Sequence, residues 1–200
     1  MPELNPRRGE QRRIREFFLR LKPADAITVK AIVNTVQSLA DGYSQERSMM
    51  SQHLDAFFGV YAIAGNITKF GDRPDIDLLV VTNAWWSNGY RSDDPEIPYE
   101  DSLALSGDWV AGSLRDIFSQ EGYNVIVKKK IPSVYAQTGA KDKGMLRLEH
   151  EDGKRKPIDI IILNKESLRN SGIKTLEEFE ERIDVNGKGK PLPKVLLFEA

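Results

Sequence analysis

The chain contains no cysteine in 200 residues, which excludes thiol catalysis, thiolate metal sites and a disulfide framework. It also lacks any apolar run near the ~20 residues that a membrane span needs. The opening MPELNPRRGEQRR has no apolar segment of signal-peptide type. The expectation from these absences is a soluble, cytoplasmic protein with no membrane partner. A dominant charge is missing as well: 29 Lys and Arg face 30 Asp and Glu, a formal net charge of −1. Total charge therefore argues neither for nor against nucleic acid, and its distribution must decide. No internal repeat stands out beyond a faint echo between Asp75–Val81 and Asp159–Leu163.

What is present is ordinary globular material, 40% hydrophobic and 30% charged. A chain of this size can bury about 70% of its unfolded surface, so folding requires no metal or disulfide staple. The informative stretch is VYAIAGNITKFGDRPDIDLLVVT, Val60 to Thr82. Two apolar runs, Val60–Ala64 and Leu78–Val81, separated by turn residues, read as two strands. Asp75 and Asp77 precede the second run and share a face, because side chains alternate along a strand. Two carboxylates about 6–7 Å apart at the mouth of a core strand repel and resist burial, and a divalent cation relieves this. A second buried-strand pattern, Lys156 to Leu163, carries Asp159 near its start. If the two strands are neighbours, three carboxylates converge on one sheet edge. Hard oxygen ligands of that kind suit Mg²⁺ or Mn²⁺. The glycine turn after the first strand offers N–H groups to phosphates.

In these residues the chain resembles the nucleotidyltransferase superfamily related to DNA polymerase β. The family pattern is Gly followed by Gly or Ser, about ten variable residues, Asp-x-Asp, then a third acid on a later strand. Its counterparts here are Gly65-Asn66, Asp75-Ile76-Asp77 and Asp159. The resemblance covers roughly Leu54 to Leu163 and departs at Asn66, whose amide can still donate to a phosphate oxygen. It implies an α+β (mixed α/β) fold, a nucleotidyltransferase-like mixed sheet flanked by helices, with N-terminal helices added. It implies a metal-dependent nucleotidyltransferase, moving a nucleoside monophosphate from a triphosphate such as ATP to an acceptor. Carried over by motif, Asp75 and Asp77 would bridge two Mg²⁺ or Mn²⁺ ions and Asp159 would complete the catalytic one. Gly65 and Asn66 would hold the β- and γ-phosphates. The acceptor is not written in the motif: relatives modify RNA, proteins, small molecules or nucleotides. The alternative is a catalytically silent nucleotide- or nucleic-acid-binding module on the same fold.

The remaining chain supplies context. Residues 1–43 read as a helical segment packed on a catalytic domain of residues 44–200. Ile14, Phe17, Phe18 and Leu21 mark a first helix, accompanied by Arg12, Arg13, Arg15 and Arg20. Those arginines read first as a solvated face, and second as an arm for an RNA acceptor. Asp25 is a candidate cap for a second helix, with Val29 to Leu39 as its stripe and Gly42 as its stop. A third helix is expected from Ser44 through Phe57 and Phe58, stopped by Gly59, with His53 a packed or partly exposed side chain rather than a ligand. Lys69 and Arg73 could reach a triphosphate at Gly65 or serve as turn residues. Trp85, Trp86, Tyr90 and Tyr99 lie in a long loop, which they either pin to the domain or make a lid over a base. Val110, Leu114, Ile117 and Phe118 mark a helix ending at Gly122, and Lys128-Lys129-Lys130 suggests a protected sheet edge. Asp152-Gly153 predicts a hairpin joining Met145–His150 to the Asp159 strand, and Thr175-Leu176-Glu177-Glu178 resembles a capping box. The tail VNGKGKPLPKVLLFEA reads as a hairpin ending in a strand, a weak likeness to abortive-infection type nucleotidyltransferases. An acceptor site built by the N-terminal helices, or supplied by a partner chain, would suit so short an enzyme.

Overall fold

A computed structural model describes residues 6–49, 57–63, 75–83, 109–128, 145–163, 174–182 and 194–200. The elements are α1 (Pro6–Leu19), α2 (Pro23–Met49), β1 (Phe58–Ile63), β2 (Ile76–Thr82), α3 (Trp109–Gln120), β3 (Tyr123–Lys128), β4 (Met145–His150), β5 (Ile158–Leu163), α4 (Leu176–Arg182) and β6 (Lys194–Glu199). The strands form one mixed sheet in the order β3-β4-β5-β2-β1-β6. β2 and β5 run parallel, and every other neighbouring pair is antiparallel. Both strands of the parallel pair are near-continuous apolar runs, IDLLVVT and IDIIIL, as central strands covered on both faces require.

The sheet has two unlike faces. On the helical face, Phe58, Val60, Ile76, Leu78, Val80, Leu146, Leu148, Ile158, Ile160 and Ile162 meet the stripes of α2 and α3 in the main core. α1 adds Ile14, buried against Ala62. Arg12, Arg13, Arg15 and Arg20 are all exposed, and Arg12 forms an (i, i+4) pair with Glu16 at 3.5 Å, as a solvated helix face does. On the opposite, acidic face, Tyr61, Ile63, Leu79, Val81, Ile161 and Leu163 pack against Leu176 and Phe179 of α4. Gly59 packs closely there: a Cβ would lie 3.0 Å from both Leu176 Cδ1 and Tyr61 Cε2, so those side chains would have to give way.

Several expectations are met. α3 ends at Gln120, two residues before the expected stop Gly122, whose φ of +79° favours glycine, although Ile117 of its expected stripe is 37% exposed. β3 is an edge strand. β4 and β5 form the expected antiparallel pair. Thr175 caps α4, its Oγ1 accepting from the Glu178 N–H at 3.1 Å. β6 is the expected last strand and pairs with β1.

Three expectations are corrected. α2 does not stop at Gly42 but continues to Met49. Its stripe runs on as Val36, Ala40 and Tyr43, and Tyr43 meets Phe58 edge-on with centroids 6.0 Å apart. This burial outweighs the ~1 kcal/mol that a helical glycine costs. Second, Phe58 and Gly59 belong to β1 rather than to a helix and its stop; one aromatic on each side of the sheet, Phe58 and Tyr61, uses strand alternation. Third, Asp25 is not the cap of α2. The first helical carbonyl is that of Lys22, which accepts from the Ala26 N–H at 3.0 Å. Asp25 lies in the first turn, 1% exposed, and its Oδ1 accepts from the backbone N–H of Lys156 at 2.9 Å. Among the described residues no helix is long and apolar enough to cross a membrane.

Candidate functional site

β2 and β5 begin at the same edge and in the same register, so Asp77 faces Asp159 directly across the parallel pair. The hydrophobic residues that follow each carboxylate with period two, Leu79 and Val81, Ile161 and Leu163, belong to the acidic face. The carboxylates therefore share that face. Asp75, immediately before β2, reaches the same place: its Oδ2 lies 3.7 Å from Nη1 of Arg147. The sheet thus brings Asp75, Asp77 and Asp159 to one end of one face.

Arg147 completes the group. It stands on β4 opposite Asp159, and its Nη1 donates to both Asp159 oxygens, each at 3.1 Å. Its Nε donates to Glu149 Oε1 at 2.7 Å. The Glu149 hydrogen bond first, and then the charge of Asp159, hold the guanidinium pKa above its ordinary value against the opposing effect of burial. The Asp159 side chain is only 11% exposed and that of Arg147 20%. A carboxylate so enclosed beside another is tolerated only with a cation at hand, and Arg147 supplies one.

The strand registers extend this into a row across the acidic face: Lys194, Ile63, Asp77, Asp159, Arg147. Neighbours in the row are about 4.8 Å apart at the backbone. Lys194 is 8% exposed, and its Nζ donates to the Glu180 carbonyl of α4 at 3.4 Å. Beside it the Tyr61 hydroxyl donates to Glu180 Oε1 at 2.9 Å. Burial, then the Glu180 carboxylate, drives the Tyr61 pKa far upward.

Of the other residues singled out from the sequence, Gly65, Asn66, Lys69 and Arg73 lie outside the described residues. The chain leaves β1 at Ile63, the register partner of Asp77, and re-enters at Asp75; the four sit between those points in sequence. His53, the Trp85–Tyr99 aromatics, Lys129 and Lys130, and the partner strand of the tail hairpin also lie outside. Arg147, Glu149 and Lys194 were not anticipated. The signal for the first two was the alternation in MLRLEH, which sends Leu146 and Leu148 to the core and leaves Arg147 and Glu149 on the acidic face.

The donor set is chemically right for a hard divalent ion, being all carboxylate oxygen. Among the described residues, however, no group of three acidic or histidine side chains is arranged to hold a metal ion. Arg147 Nη1 instead lies within hydrogen-bonding distance of both Asp159 oxygens. Comparison of the chain with protein-family models, curated proteins and solved structures found no match.

Proposed function

We propose that the chain is a metal-dependent nucleotidyltransferase, transferring a nucleoside monophosphate from a nucleoside triphosphate to an acceptor hydroxyl. One observation carries this reading: Asp77 and Asp159 are register partners at the start of adjacent parallel strands, with Asp75 two residues upstream on the same guanidinium. Nothing in core packing calls for three carboxylates there, and their mutual repulsion opposes folding. Asp75, Asp77 and Asp159 would hold Mg²⁺ or Mn²⁺. When bound, such ions activate an attacking oxygen and neutralise charge on the departing pyrophosphate. The chain's own contribution is positional. Asp77 and Asp159 sit on rigid central strands, so their separation is fixed by the hydrogen-bond ladder rather than by loop geometry. Gly65 and Asn66 follow β1 in sequence and would offer hydrogen-bond donors to the triphosphate, with Lys69 and Arg73 as further phosphate contacts.

The test uses the full chain with each labelled nucleoside triphosphate, Mn²⁺ and cell extract. Transfer of label to RNA, protein or a small molecule is expected, which also identifies the acceptor class. Asp77→Asn should lower the rate by roughly 10³-fold, since a metal ligand contributes several kcal/mol of transition-state stabilisation. Wild-type transfer by that variant would falsify the assignment. The silent binding module is favoured by one observation, the Arg147 guanidinium already neutralising Asp159; it predicts nucleotide binding without turnover.

A further inference from the structure

Arg147 resolves that tension. Its Nη1 is a positively charged nitrogen with three carboxylate oxygens around it: Asp159 Oδ1 and Oδ2 at 3.1 Å and Asp75 Oδ2 at 3.7 Å. Chelation of one nitrogen by both oxygens of a single carboxylate is unlike the usual fork-on-fork pairing of arginine, in which two nitrogens meet two oxygens. It is the way a carboxylate grips a metal ion. The guanidinium is anchored from behind, where Nε bonds Glu149 at 2.7 Å, and Glu149 lies on the same strand, two residues away.

We infer that Arg147 is a built-in competitor for the metal site, holding Asp159 and Asp75 until a divalent ion displaces its Nη1. The inference rests on the nucleotidyltransferase reading and assigns that site its regulation. Without the ion, Arg147 keeps the crowded carboxylates from repelling one another. With the ion bound, the guanidinium is released on the acidic face beside the reacting centre, where a triphosphate is the complementary charge. The substrate's arrival with its metal would then favour displacement twice, once at the carboxylates and once at the freed arginine. Metal affinity in the absence of nucleotide should be weak, because each ion must evict a cation of the protein's own.

The test is a Mn²⁺ titration, without nucleotide, of the wild-type chain, R147Q and R147K, followed by calorimetry. Removing one positive charge about 4 Å from the ion should tighten Mn²⁺ binding in R147Q by ~10-fold or more. R147K keeps a charge but cannot reproduce the chelated geometry, and should fall between the two. Melting should agree, with Mn²⁺ raising the Tm of R147Q more than that of wild type. If R147Q does not fold, the wild-type chain still decides. Its Arg147 Nε–H resonance, assigned by its loss in R147K, should shift on Mg²⁺ addition with the midpoint of Mg²⁺ binding. Equal or weaker Mn²⁺ binding by R147Q, or a resonance that stays put while Mg²⁺ binds, overturns the competition and leaves the metal site intact. Failure of the wild type and both variants to bind any divalent ion overturns the competition and the metal-dependent reading together.

Discussion

The two faces of the sheet are built by opposite rules. The helical face is filled with Leu, Ile, Val and Phe from three described helices, and a chain of polar groups runs through it: Arg155 Nη1 donates to the Tyr123 hydroxyl at 2.9 Å, which meets Thr28 Oγ1 at 2.6 Å, which donates to the Ala24 carbonyl at 3.1 Å. Among the described residues the acidic face has one short helix over β1 and its neighbours, and beside it a row of two cations and two carboxylates to which Asp75 and Glu149 add two further carboxylates. Apolar burial drives folding, so the first face holds the molecule together. The second carries electrostatic work against folding, which is expected where groups are kept for chemistry rather than stability.

The contrast can be broken by substitution. Phe118→Ala should have the largest effect on stability, about 3–5 kcal/mol, because the ring is fully buried and packs edge-on against Tyr123 at 5.4 Å; denaturant melts will show it. A loss as large from Asp77→Asn would erase the distinction between the faces. Asp25→Ala should cost about 1 kcal/mol by removing the part-buried hydrogen bond from the Lys156 N–H. It should also lower transfer activity, since Lys156 and Pro157 lead directly into β5 and the Pro157 carbonyl accepts from the Ile76 N–H at 2.9 Å. Unchanged activity in a destabilised Asp25→Ala protein would separate the two faces completely.

Tyr61 sharpens the comparison through pH. Its folded pKa lies above the ordinary phenol value, so above pH ~10 the unfolded chain loses a proton that the folded chain keeps. The associated stability is fully present below that pH and falls as pH rises, by up to ~1.4 kcal/mol per unit. Tyr61→Phe should remove this part of the slope in melts between pH 9 and 11. An unaltered slope would mean that the hydroxyl is not shielded by α4. The smallest effect belongs to the helical face: Gly42→Ala should stabilise by about 0.5–1 kcal/mol, since a Cβ there meets no atom within 4 Å.

Much of this was legible in the chain. Runs of Val, Ile and Leu with aspartate at their mouths marked β2 and β5, because central parallel strands tolerate little else. The meeting of Asp77 and Asp159 followed once those strands were taken as neighbours. Gly42 misled because the strongest local stop signal was overridden by a tertiary contact, Tyr43 on Phe58, invisible to local reading. Asp25 misled in the same way, its acceptor oxygen claimed by Lys156 from 131 residues away. Arg147 was missed for a subtler reason. A two-residue turn at Asp152-Gly153 would set Arg147 opposite Ile158, whereas the longer connection sets it opposite Asp159. One residue of register moves a side chain between partners and faces, and loop length is what the residue types leave open. The role of Gly65-Asn66 rests on likeness of pattern alone.

The parallel pairing of β2 with β5 has a consequence in time. Asp77 and Asp159 are 159 − 77 = 82 positions apart, and a chain must close a loop of that size before its ladder can form. Hairpins such as β4–β5 can assemble early, while the acid constellation waits for the slowest, least local step. A ribosome must release β5 before the two aspartates can meet, so no N-terminal fragment ending short of that strand can assemble the acid cluster, however well it folds.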